Sequence, residues 1–236
     1  MVAVTPSTPR KRSGVIRAKI APEDLPGRLE PVAEHVKPPK SIKDLKRAMQ
    51  ACRECPLWRD ATQAVPGEGD VTEPLLALVG EQPGDQEDLA GHPFVGPAGK
   101  VLDRALEAAG IDRKEVFVTN AVKHFKHEPR GKRRLHKRPD RSEMEVCRWW
   151  VKNELELVKP KLVVALGVTA VQSLSNHKGS LTAARGNTFE TREGQPLRAT
   201  VHPSFLLRVP DKAAKEAEFE RFVADLKAAK AAARKL

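Results

Sequence analysis

The sequence predicts an α/β fold: a three-layer α/β/α sandwich around a central four-stranded parallel sheet. Three observations predict it. Four short apolar runs, at residues 75–79, 116–119, 162–166 and 197–201, have the length and the polar flanks of strands. Helical patterns lie between them, and strands that alternate with helices pair in parallel. Three of the runs feed directly into polar strings, and in an open parallel sheet ligands bind beyond the carboxyl ends of the strands.

The elements follow in order. Residues 1–40 are rich in Pro, Lys and Arg without periodicity and read as a disordered basic tail, a candidate non-specific DNA-contacting arm. Order begins at Ser41, a helix N-cap ahead of Ile42, Leu45, Ala48 and Met49 at helical spacing. After the first strand, Val101, Leu102, Ala105, Leu106 and Ala109 form one apolar face, closed by Gly110. Met144, Cys147, Trp150, Val151, Leu155 and Val158 form another, ending before Pro160. A short helix is expected after Gly167, and a charged, Ala-rich one from Lys212 to about Arg234. Residues 41–210 therefore read as one domain, with 211–236 a C-terminal helix that belongs to it or is appended.

Composition narrows the class. Lys and Arg number 42 against 31 acids, a net charge of +11, which suits a polyanionic partner, nucleic acid above all. Three cysteines are too few for a disulfide framework. No apolar run approaches a membrane span, and the N-terminus lacks the apolar core of a secretory signal. A cytoplasmic, membrane-free protein with reduced cysteines is expected, and nothing points to an obligate dimer, so a monomer is expected too.

The fold rule gathers Glu81, Gln82, Asn120 and His202 at one sheet edge: a carboxylate, two amides and an imidazole. The strings that hold them are GEQPGDQEDLAGHPFVGPAG (80–99), TNAVKHFK (119–126) and VHPSFLLR (201–208). Together they resemble the uracil-DNA glycosylase superfamily, in its iron–sulfur branch. The resemblance spans roughly residues 46–208. It implies that the first string, with Gln82, Asp85 and a stacking Phe94, holds a flipped uracil. Asn120 would read the base, since an amide both donates and accepts and so matches uracil but not cytosine. His202 would bond the oxygen on which charge develops, and Ser204 and Arg208 would meet phosphates. Taken singly, Phe94 reads as a core aromatic and Asn120 as a strand cap.

The CxxC pair Cys52 and Cys55, with Cys147, suggests a metal. In the iron–sulfur glycosylases a further ligand lies four residues after the uracil-reading Asn. Here that position is His124, so the resemblance implies a [4Fe–4S] cluster on Cys52, Cys55, His124 and Cys147. Zinc accepts the same ligand set, and a CxxC redox pair is a weaker alternative.

Residues 123–140 carry eight Lys or Arg against two acids. Such a run is usually a solvated, phosphate-contacting loop. Its KRRLH string is similar to the loop of the UdgX subfamily, which becomes covalently attached to uracil-containing DNA, single-stranded DNA being the expected preference. The resemblance makes His136 the nucleophile that captures C1′, with Glu81 orienting it or taking its proton, and Lys132, Arg133, Arg134 and Lys137 holding the loop on phosphates. A turnover glycosylase with the same pocket, and a non-catalytic nucleic-acid-binding module, are the rival readings.

Overall fold

A computed structural model describes residues 38–236. The tail expected over residues 1–40 lies, apart from 38–40, outside the described residues, and so does the DNA-contacting role suggested for it.

A six-stranded sheet runs in the order β1 (Glu68–Gly69), β3 (Val116–Asn120), β2 (Leu76–Gly80), β6 (Leu162–Leu166), β8 (Pro196–Thr200), β7 (Thr188–Glu190). The four inner strands are parallel, as the apolar runs predict. The two edge strands are antiparallel additions of two and three residues, too short to leave an apolar run in the sequence.

Alternation along the inner strands divides the core. Leu76, Leu78, Val116, Val118, Leu162 and Val164 face one side. They pack under α3 (Pro97–Ala108) and α8 (Lys212–Ala233). Ala77, Val79, Phe117, Val163, Ala165 and Leu197 face the other, under α4 (Arg141–Val158) and α5 (Val168–Leu174). Period-two burial on both faces is what makes the sheet the middle of three layers. Helix α8 buries Phe222, Val223, Leu226, Ala229 and Ala233 in the first of these cores. Fully burying a residue such as Phe222 or Leu226 is worth about 1.5–3 kcal/mol.

Helix α1 (Ile42–Gln50) starts where Ser41 accepts from the Asp44 amide. It lies on the N-terminal half of α4, over a third cluster that contains all three cysteines. Helix α4 begins at a capping box of Asp140 and Glu143 and stops at Lys159, which has left-handed backbone ahead of Pro160.

The stretch expected to be an irregular loop is a β-hairpin. Strand β4 (His127–Arg130) pairs with β5 (Arg133–His136), His127 opposite His136, around a two-residue turn. Gly131, at φ 59°, takes the positive φ that such a turn requires at its first central position. The basic composition masked the strand signal, because only Leu135 in β5 is apolar.

Candidate active site

Strand β2 has β3 on one side and β6 on the other, so the chain reverses its direction of travel across the sheet there. That is where an open parallel sheet leaves a crevice. A crevice of about 1060 Å³ opens at this point, with Glu81, Phe94, Asn120, His136 and His202 among its lining residues. Each comes from a different segment. Glu81 follows β2, Asn120 ends β3, His136 ends β5, and His202 caps α7 (Pro203–Arg208).

The floor is tight. A Cβ on Gly80 would lie 2.3 Å from Asn120 Oδ1 and 2.6 Å from Phe94 Cζ, so only glycine lets the amide and the aromatic ring meet. Phe94 itself has φ 58°, a left-handed backbone that a bulky residue adopts at a cost of about 1–3 kcal/mol. Its ring centroid is 5.9 Å from that of His202. Asn120 is buried, and its Oδ1 has no hydrogen-bond partner among the described residues. An acceptor left unpaired in this way suits a ligand that brings an N–H.

His202 has a defined tautomer. The Ser204 backbone N–H donates to its Nδ1 at 3.2 Å. An amide can only donate, so Nδ1 carries the lone pair and Nε2 the proton. Burial, partly offset by the Glu81 charge, pushes its pKa down to about 4. At neutral pH the crevice therefore contains an uncharged N–H donor.

Glu81 Oε1 lies 3.3 Å from His136 Nε2, and its Oε2 accepts from the Thr169 hydroxyl. Burial pushes the carboxyl up, but hydrogen bonds from His136 and Thr169 outweigh it and hold Glu81 below the usual carboxylate range. The His136 side chain is half exposed at the crevice mouth.

Two expected contacts take a different form. The Gln82 side chain, expected to touch the base, is turned to the hairpin root. It donates to the Lys126 and Lys137 carbonyls and accepts from the Lys126 amide. A buried amide that can saturate itself on backbone groups does so, which leaves only the Gln82 main chain for a ligand. Arg134, expected on phosphates, instead bonds Asp85 and the fully buried Asp88, both at 2.6 Å. It also lies 5.4 Å over the Phe125 ring. A buried carboxylate requires a partner, and Arg134 supplies it. Asp85 lines the crevice while bound to Arg134. Lys132, Arg133 and Lys137 are exposed, as is Arg208, which donates to Ser204 Oγ at 3.1 Å.

The profile of the uracil DNA glycosylase superfamily matches residues 66–227, more than half of the chain. The protein is a member of the uracil-DNA glycosylase superfamily. Among its relatives is the type-4 uracil-DNA glycosylase of Thermotoga maritima, 37% identical over 161 residues, which are 68% of this chain and 80% of that one. The type-4 enzyme of Pyrobaculum aerophilum is 34% identical over 190 residues, 78% of this chain and 91% of that one. A type-5 uracil-DNA glycosylase of the same organism is 33% identical over 96 residues, 40% of this chain and 39% of that one.

Within this superfamily member the three thiols converge. Cys52, Cys55 and Cys147 share one buried cluster; Trp150 Nε1 donates to Cys52 Sγ at 3.3 Å and the Lys123 amide to Cys147 Sγ at 3.2 Å. Burial pushes all three thiols up, Cys55 to about 12. His124 is buried next to Lys123, its pKa pushed down to about 4, so its imidazole is neutral. The chemistry of this donor set suits a soft metal. Among the described residues no group of three or more His, Cys, Asp or Glu side chains is spaced to hold a metal ion.

Residue types alone did not reveal Thr169, Arg138, Lys123 and Glu154, which support the site from behind. The signal for Thr169 was available, since it follows the carboxyl end of the third inner strand, where the fold rule also applies.

Proposed function

We propose that this uracil-DNA glycosylase excises uracil from DNA, preferentially from single strands, and then retains the sugar by a covalent bond from His136 to C1′. The observation that carries the reading is the His136–Glu81 pair, 3.3 Å apart at the mouth of the base pocket. Asn120 would accept from uracil N3–H and donate to O4, with Phe94 against the ring face. The C1′–N1 bond breaks with its electron pair leaving on uracil, where the His202 Nε2–H stabilises the charge on O2. The imidazole nitrogen of His136 that holds the lone pair bonds C1′, and the N–H proton on the other nitrogen passes to Glu81. A carboxylate kept ionised beside the ring fits that transfer. The product has no good leaving group on the sugar, so turnover is slight.

Cys52, Cys55, His124 and Cys147 are proposed to hold a [4Fe–4S] cluster that ties α1 and the segment after β3 to α4. Iron and acid-labile sulfide content, with visible absorbance, tests it; a preparation that carries neither while still excising uracil would refute it.

The capture test mixes the protein with a uracil oligonucleotide and runs a boiled denaturing gel. A retarded band that is absent with thymine is expected. His136→Ser should lose that band while uracil is still released. A persistent band would remove the nucleophilic role from His136. Free uracil with no band from the unmodified protein would favour ordinary turnover, and an intact substrate a binding module.

A further inference from the structure

Glu81 is held by more than His136. Its Oε2 accepts from the Thr169 hydroxyl at 2.5 Å, which leaves Oε1 to face His136 Nε2 at 3.3 Å. The same hydroxyl oxygen accepts from Arg138 Nε at 3.1 Å, and Arg138 Nη2 donates to Gln172 Oε1 at 3.0 Å. A guanidinium only donates and a hydroxyl has one proton, so the Thr169 proton is committed to Glu81. Thr169 is 1% exposed, in the first turn of α5, and is shielded from competing water. Arg138 lies two residues beyond His136. The segment that carries the imidazole therefore returns, through one hydroxyl, to the carboxylate facing that imidazole.

We infer that Thr169 is a positioning residue for covalent capture, a hydroxyl through which the docked hairpin fixes the rotamer and the ionisation of Glu81. The inference rests on the capture reading above and assigns a role to a residue outside the base pocket. The charged and titratable groups that face Glu81 are His136 from β5, His202 at the start of α7 and, through Thr169, Arg138. Loss of the hydroxyl removes one of the two hydrogen bonds that hold the Glu81 carboxyl down against burial. Capture needs His136 with a free lone pair and Glu81 ionised, and loss of the Thr169 bond favours the state with a proton on Glu81, so the pair takes up its first proton at higher pH. Capture should fail earlier as the pH falls.

The experiment is single-turnover adduct formation on a uracil oligonucleotide as a function of pH. It compares the unmodified protein with Thr169→Val, Thr169→Ser and Arg138→Met. In Thr169→Val the acid limb should move up by about one pH unit, so that the rate on that limb falls about tenfold. Thr169→Ser should restore the original limb. Arg138→Met should move it in the same direction, and combining it with Thr169→Val should add little, because both act through one hydroxyl. A packing defect would lower the rate at every pH without moving the limb. An unmoved limb in Thr169→Val, or an equal shift in Thr169→Ser, would overturn the inference. If Thr169→Val does not fold, Arg138→Met decides by the same criterion. Absence of any boiled adduct from the unmodified protein would overturn the capture reading and this inference together, and would be seen before any variant is compared.

Discussion

At the scale of single residues, a buried ion pair lies behind Asn120. Lys123 is fully buried, and its Nζ donates to Thr119 Oγ1 and the Asn120 carbonyl, both at 2.7 Å, and to Glu154 Oε2 at 2.6 Å. Glu154 Oε1 accepts from the Gly67 amide at 2.7 Å. One ion pair thus fastens the end of β3 to α4 and to the strap before β1. In the sequence Lys123 is indistinguishable from the basic residues that follow it, and a solvated charge is the ordinary reading of such a run. Burial is a property of the fold, which the local pattern did not reveal. Lys123→Met should destabilise the protein by about 3–5 kcal/mol, because Glu154 loses its cation in the core. Pairing it with Glu154→Leu should recover much of that loss. Urea midpoints at constant slope measure both effects. An unchanged midpoint in the single variant would mean that the pair contributes nothing net.

At the scale of elements, the hairpin carries His136 to the mouth of the crevice. It is pinned on two sides of His136: Arg134 reaches back to Asp85 and Asp88 on α2 (Asp85–Ala90), and Arg138 reaches forward to Thr169 and Gln172 on α5. The sequence made the parallel strands legible because β2, β3 and β6 are buried along their whole length and mostly apolar, while β8 still buries Leu197 and Ala199. It also made the crevice legible, because its residues stand at strand ends. It did not reveal the hairpin, whose stability comes from ion pairs to distant elements rather than from an apolar face. Nor did it reveal α2, whose six residues begin in a run of acids. Arg134→Ala should leave Asp88 buried without its cation and free one side of the hairpin. On the proposed capture reading, adduct formation should slow by at least tenfold while the choice of uracil over cytosine survives. Quench-flow sampling of both substrates would check this, and a variant that captures at the original rate would show that Arg134 does not hold the hairpin in place.

At the scale of the whole molecule, the charge of +11 invites the view that every basic residue near the site is for DNA. The structure divides them. Of the eight in residues 123–140, Lys123, Lys126, Arg134 and Arg138 are bonded to groups of the protein itself. Arg130, Lys132, Arg133 and Lys137 are exposed, and their side chains make no hydrogen bond or ion pair among the described residues. Only the second set is available to displace counterions from a strand, and each phosphate neutralised should contribute about −0.7 to the slope of log K against log salt. The prediction is made on a His136→Ser background, where binding stays reversible, with a uracil-free single strand read by fluorescence anisotropy between low and physiological salt. Removing Arg133 should make the slope shallower by about 0.7, and removing Lys132 with it by about 1.4. Arg134→Ala should leave the slope where it was, even though it removes the same unit of net charge. Equal effects of Arg133 and Arg134 would mean that net charge alone sets the affinity. Unequal effects would mean that the pairing pattern within the fold selects which cations reach the nucleic acid.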